Sequence, residues 1–166
     1  MRLSLRLCGE KPTLMKFLVD RMLGKLAKAL RLLGYVAISF QGEDLTQLIR
    51  LAREQDRVIL TRNTKLAARK PEDRVVRIAN DHPRLQLREL HEKGAIVLNE
   101  KASFSRCLVC NVLLDVMARK EVEGKVPDFI FHNYQEFYCC SQCGRIYWPG
   151  THQQHMQKRI KEILTP

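Results

Sequence analysis

The chain is short of acid. It has 166 residues, with 18 Asp+Glu against 29 Lys+Arg, a formal net charge of +11. An excess of that size points to an anionic partner, and nucleic acid is the commonest. Long apolar runs are also missing. No stretch of eighteen consecutive apolar residues occurs, which excludes a membrane-spanning helix. The opening MRLSLRLCGEKPTLM (residues 1–15) lacks the continuous apolar segment of a secretory signal. It reads as a loose extension, or as a strand alternating Leu3, Leu5 and Leu7. With no sign of export, the cysteines are expected to be reduced. The expected location is an intracellular reducing compartment: the cytoplasm, with an organelle matrix as alternative.

What is present suits a globular chain, 45% apolar. The organising stretch is KFLVDRMLGKLAKALRLLGY, residues 16–35. Phe17, Leu18 and Val19 read as a buried strand that stops at one acid, Asp20. An amphipathic helix follows, with Met22, Leu23, Leu26, Ala27, Leu30 and Leu33 at three- and four-residue spacing, and Gly34 ends it. Tyr35–Phe40 reads as a second strand, then a helix opened by Asp44. Val58–Thr61 is a third strand and Lys65–Arg69 a short helix. Val75–Ile78 is a fourth strand, before a helix carrying Leu85, Leu87 and Leu90. This rhythm predicts an α/β fold with a parallel sheet between helix layers, and its continuously apolar strands suit a sheet covered on both faces. The expected units are an extension (1–15), a small α/β domain (16–101) and a cysteine-bearing part with a C-terminal helix (102–166). The charge is uneven: residues 16–101 carry 18 basic and 11 acidic residues, residues 102–166 carry 8 and 6.

A polar or acidic residue follows each strand: Asp20, Glu43/Asp44, Asn63 and Asp81. Parallel strands point these to one edge, where open α/β sheets bind ligands. Helix capping explains such residues singly. Their recurrence in a basic chain suggests carboxylates that gather a hard divalent cation, Mg²⁺ or Mn²⁺, for phosphodiester cleavage.

Six cysteines occur: Cys8, Cys107, Cys110, Cys139, Cys140 and Cys143. Cys107-x-x-Cys110 and Cys140-x-x-Cys143 have knuckle spacing, and each is followed by a residue tolerant of a left-handed turn, Asn111 and Gly144. Four thiolates make a closed, structural zinc site. Cys139 reads as a spare that points away, and Cys8 as a free or buried thiol. Phe129–Phe131 and Phe137–Tyr138 read as strands leading into the second knuckle. Tyr147 and Trp148 read as ribbon core or base-stacking surface, and His152 as a structural or RNA-contacting side chain. The last helix, with Thr151 as N-cap, carries Met156, Ile160, Ile163 and Leu164 as its apolar stripe.

The segments 16–35, RVILTRN (57–63), NDHPRLQL (80–87), RCLVCN (106–111), KEVEGKVPDF (120–129) and EFYCCSQCGRIYWPGTH (136–152) together resemble the Mut-seven C-terminal RNase domain family. That family has a PIN-like nuclease fold fused to a zinc ribbon. The resemblance spans about residues 16–156. It implies a metal-dependent ribonuclease in which Asp20, Asp44 and Asp81 are the strand-end acids and Cys107, Cys110, Cys140 and Cys143 hold zinc. It also marks a departure: the family usually has Asp after Thr-Arg, where this chain has Asn63. Asn offers an oxygen without a charge. Two functional readings follow. One is a Mg²⁺- or Mn²⁺-dependent ribonuclease. The other is a catalytically weakened module that binds RNA or a ribonucleoprotein such as the ribosome.

Overall fold

In the computed structural model, residues 15–68 and 74–164 are described. The expectations for residues 1–14, including Leu3, Leu5, Leu7 and Cys8, lie outside them, as do the side chains of His152 and Leu164. The first half alternates strand and helix. It comprises β1 (Lys16–Asp20), a 3-10 turn (Arg21–Leu23), α1 (Gly24–Leu32), β2 (Val36–Phe40), α2 (Leu45–Glu54), β3 (Val58–Thr61), α3 (Thr64–Ala67), β4 (Val75–Arg77) and α4 (Pro83–Glu92). The strands form one parallel sheet in the order β2-β1-β3-β4.

Three layers follow from how the strands bury both faces. In β1, Phe17 and Val19 enter one apolar cluster with α1 and α4, while Leu18 between them enters another with α2 and α3. In β3, Val58 and Leu60 join the first cluster and Ile59 the second. Successive side chains of a strand point to opposite faces, so a strand apolar at every position must be covered twice. The helices are placed to do so. Leu26, Ala27 and Leu30 of α1 lie on the first face, and Leu48, Ile49 and Ala52 of α2 on the second. The chain leaves β1 toward β2 on one side and returns past it to β3 on the other. Crossovers of one hand then put α1 and α2 on opposite faces and open a crevice between the carboxyl ends of β1 and β3.

The second half is a short antiparallel sheet, ordered β5-β6-β7, made of β5 (Asp115–Met117), β6 (Phe137–Cys139) and β7 (Ile146–Tyr147). Helices α5 (Arg119–Val122) and α6 (Asp128–Asn133) lie between β5 and β6, and α7 (Thr151–Leu164) ends the described chain. The expected strand at Phe129–Phe131 is therefore corrected to a helix. Ile130 and Phe131 donate their N–H groups to the carbonyl of Pro127, and the Asn133 amide bonds the Phe129 carbonyl. Phe129 is left exposed, because no neighbouring strand offers it an apolar face. The stripe on α7 packs on the sheet domain: Ile160 is buried in the first cluster, with Met156 and Ile163 against it.

The two halves are joined at the corner between α1 and β2. The Arg31 side chain donates from Nε to the Ala37 carbonyl (2.7 Å) and from Nη1 to the carbonyls of Leu108 (2.8 Å) and Val109 (3.0 Å). Arg106 donates from Nε to the Gly34 carbonyl at 2.9 Å. Gly34 itself has φ +89, and a Cβ there would lie 2.3 Å from the Ala102 carbonyl oxygen. Only glycine suits both the left-handed backbone and this close approach. No described helix is long and apolar enough to cross a membrane.

Candidate functional site

Two clusters of polar groups stand out: the carboxyl edge of the parallel sheet and the four cysteines. At the sheet edge, capping accounts for only part of the pattern. Asp44 caps α2, its Oδ1 accepting from the Thr46 N–H at 2.8 Å. Asn63 caps α3, its Oδ1 accepting from both Lys65 N–H (2.9 Å) and Leu66 N–H (3.2 Å). Those two bonds use both lone pairs of the amide oxygen. Asp20 makes no cap hydrogen bond to the turn that follows it. Nor does Asp81 cap α4; the neighbouring His82 does, its Nδ1 accepting from Arg84 N–H at 3.3 Å.

Asp20 is instead oriented from across the crevice. The Thr61 hydroxyl, at the end of β3 and fully buried, donates to Asp20 Oδ2 at 2.8 Å. The same hydroxyl oxygen accepts from the Asn63 N–H at 3.0 Å. Its donor and acceptor roles are thus both used, and its rotor is fixed. Asp20 Oδ1 has no hydrogen-bond partner among the described residues.

Asp81 is held from behind by two residues that sequence reasoning missed. Gln86 donates from Nε2 to the carbonyls of Asn80 (3.0 Å) and Asp81 (3.1 Å). Glu89, nearly buried, accepts from the N–H groups of Ala79 and Asn80, from the Asn80 amide and from Lys93 Nζ. Burial alone would raise the Glu89 carboxyl. The Lys93 ammonium, the two backbone N–H groups and the Asn80 amide outweigh it and hold the pKa at about 2. The signal in the sequence was a Gln and a Glu on the apolar side of α4, at the same spacing as Leu87 and Leu90. The Asp81 carboxylate projects from this clamped loop, highly exposed, and pairs with Arg62. Glu43 is ion-paired with Arg21 at 2.6 Å.

The cysteines converge. The thiol sulfurs of Cys107, Cys110, Cys140 and Cys143 all lie within 4.8 Å of one another, an arrangement able to hold a metal ion. No other group of three or more His, Cys, Asp or Glu ligand atoms does so among the described residues, so Asp20, Asp44 and Asp81 are not gathered at that range. The two knuckles match in detail. Asn111 N–H bonds the Cys107 carbonyl and Gly144 N–H bonds the Cys140 carbonyl. Asn111 (φ 67) and Gly144 (φ 70) take the expected left-handed turns. Burial would raise the Cys107 thiol, but the N–H of Cys110, the Tyr147 hydroxyl and the N–H of Val109 bring it down to about 6. Cys139 is not part of the group. Asn111 also ties the first knuckle to β2, its Oδ1 accepting from Ala37 N–H at 3.4 Å.

A family model, the Mut7-C RNAse domain, matches residues 15–160, and so spans both the sheet edge and the cysteine cluster. The chain belongs to the Mut7-C RNase domain family. No curated protein and no solved structure matches it. Membership makes this an RNA-acting, nuclease-like protein, and the four-cysteine cluster agrees with the zinc ribbon expected within the Mut7-C chain.

Proposed function

We propose that the protein is a divalent-metal-dependent ribonuclease whose reaction centre lies where β1 and β3 part, with Asp20 as its central carboxylate and Asp81 as the second. The observation that carries this reading is what Asp20 does not do. It sits at a strand-to-helix junction, yet it caps nothing, and a buried threonine on the neighbouring strand fixes its carboxylate with one oxygen left over. Mg²⁺ commonly binds through one or two carboxylates, keeps several waters and takes substrate phosphate as a further ligand. Two acids with hard oxygen donors fit such an ion. Asp44 and Asn63 serve as caps that hold α2 and α3 in place around it. When bound, the cation would activate water and neutralise charge on the phosphate. The protein's own part is to orient Asp20 through Thr61 and to hold the Asp81 loop through Gln86 and Glu89.

We further propose that the four thiolates bind zinc structurally and that residues 102–166 act as its ribbon. A Zn–S bond of about 2.3 Å implies tetrahedral sulfurs about 3.8 Å apart. The Cys107 and Cys143 sulfurs are separated by 3.8 Å. A closed set of four thiolates leaves no open position for substrate, so the ribbon's role is to fold the second half.

The test is cleavage of a mixed pool of single-stranded and structured RNA in Mn²⁺. The native chain should cleave, and Asp20→Asn should lose most of that rate, because the cation that activates water would lose its central ligand. Cleavage that survives Asp20→Asn would remove Asp20 from the reaction. A second reading, an RNA-binding module without catalysis, draws on Asn63, whose amide adds no charge and whose oxygen is already shared by two N–H groups. Silence from the native chain together with tight, salt-sensitive RNA binding would favour it.

A further inference from the structure

The four cysteine sulfurs have partners outside the group. Cys107 Sγ lies 3.2 Å from the Tyr147 hydroxyl oxygen, and it also accepts from the Cys110 N–H at 3.3 Å. Arg145 donates from Nη1 to Cys143 Sγ at 3.6 Å. Arg145 and Tyr147 stand two positions apart where the chain enters β7, the spacing that puts alternate side chains on one face of a strand. Their reach differs. Arg145 is exposed and serves a cysteine of its own knuckle. Tyr147 is half-buried and crosses to the other knuckle, 40 positions back along the chain.

That crossing joins two differently rooted parts. The first knuckle is fastened to the sheet domain. Arg31 holds the carbonyls of Leu108 and Val109, Asn111 Oδ1 accepts from the Ala37 N–H, and Leu108 packs against the first apolar cluster. The second knuckle is the turn between β6 and β7, closed by the Cys140 N–H on the Arg145 carbonyl. A metal held by all four sulfurs would bridge the two knuckles, and the Tyr147 hydroxyl bridges them as well. Zinc binds cysteine as the thiolate, which has no proton to give, so the protonated phenol is the donor in the zinc form. Four thiolates also bring more negative charge than one Zn²⁺ offsets, and donors aimed at the sulfurs spread the excess. Groups that orient metal ligands in this way commonly change metal affinity ~10–100-fold when removed. A phenylalanine here would pack as tyrosine does but could not donate.

We propose that Tyr147 is a positioning residue of the zinc site: its hydroxyl donates to Cys107, fixes that sulfur across the two knuckles and slows loss of the metal. The proposal rests on the reading of the four cysteines as a zinc site.

The experiment compares the full chain with Tyr147→Phe, which keeps the ring and removes only the hydroxyl. Competition with a chromophoric chelator should show zinc held roughly ten- to a hundredfold more weakly by the variant, and released faster. Tyr138→Phe is the control. It removes a hydroxyl from the residue paired with Tyr147 across β6 and β7, but that hydroxyl bonds Glu136, and zinc affinity should not change. A second readout separates hydrogen bonding from packing. With Co²⁺ in place of zinc, the sulfur-to-cobalt charge-transfer band should move to longer wavelength in Tyr147→Phe, because a thiolate that loses a hydrogen bond gives up electron density more readily. Native affinity and an unmoved band in Tyr147→Phe would overturn the role of Tyr147 and leave the zinc site standing. Weaker zinc with an unmoved band would also overturn it, since the ring would then act by packing alone. A native chain that takes up neither zinc nor cobalt would overturn the zinc reading, and the role of Tyr147 with it.

Discussion

Replacing Glu89 by Gln tests whether the β4–α4 loop is held by a charge. In the folded chain the carboxyl is held at about 2, against an ordinary value of 4.5. At ~1.36 kcal/mol per pH unit, that difference is worth about 3 kcal/mol of stability at neutral pH. The Glu89 side chain is 11% exposed but its Lys93 partner is 43% exposed, so solvent screening of that pair brings the contribution down toward ~2 kcal/mol. The sign is set by a folded pKa below the unfolded one. The contribution is whole above about pH 5, falls as pH drops through 4.5, and is gone near pH 2. Gln is nearly the same size but neutral, and its Nε2 faces a cluster that wants only acceptors: Ala79 N–H, Asn80 N–H, the Asn80 amide and Lys93. Urea unfolding of both proteins at a series of pH values from 7 to 2.5 should show Glu89→Gln less stable by about 2–4 kcal/mol at neutral pH, with the gap closing toward acid. Taking the difference between the two curves cancels the other acids and the thiolates, which titrate in both. A gap under ~0.5 kcal/mol at neutral pH, or one that does not shrink on acidification, would refute the clamp.

The parallel sheet was legible because each of its strands is a short apolar run and each helix shows its stripe. The runs at Phe17–Val19 and Val58–Leu60 are apolar at every position, and both faces of the sheet are in fact covered. The segment Phe129–Phe131 misled because three apolar residues suit strand and helix alike when taken alone. Its neighbours decide, and here Pro127 offers a carbonyl to start a helical turn and no strand lies alongside. The knuckles were legible down to their backbone, since Asn111 and Gly144 follow cysteines at positions that need a left-handed turn.

The sheet-edge site was legible only as a list of candidates. Every β→α junction favours Asp and Asn, and the sequence alone does not separate a cap from a free carboxylate. The distinction appears only when hydrogen bonds are traced: Asp44 and Asn63 bond their own helices, whereas Asp20 bonds Thr61 on another strand, 41 positions away. Contacts of that range leave no local pattern. The same is true of Arg31, an ordinary basic residue on an amphipathic helix, which reaches the first knuckle some 77 positions on.

Three further outcomes follow from these contacts. Gly34→Ala should destabilise the chain by several kcal/mol, read as a drop in the urea midpoint, because the new methyl would meet the Ala102 carbonyl oxygen at 2.3 Å on a backbone of φ +89. An unchanged midpoint would mean that the corner is free to shift. Elemental analysis should give about one zinc per chain, and Cys110→Ser should lose the metal together with the near-ultraviolet signal of Tyr147 and Trp148. Iron, or an intact signal without metal, would overturn the structural zinc. Asn63→Asp is the sharpest of the three, since it separates capping from catalysis. Asp caps a helix as well as Asn does, so the unfolding free energy should change by less than ~0.5 kcal/mol. At the same time the variant adds a charge beside Asp20, on the residue whose N–H already bonds Thr61. If the native chain is limited by too little negative charge at this edge, cleavage in Mn²⁺ should rise while the melting curve stays put. If Asp20 and Asp81 suffice, neither should move. A stability lowered by clearly more than ~0.5 kcal/mol, whatever cleavage does, would contradict the assignment of Asn63 as a cap.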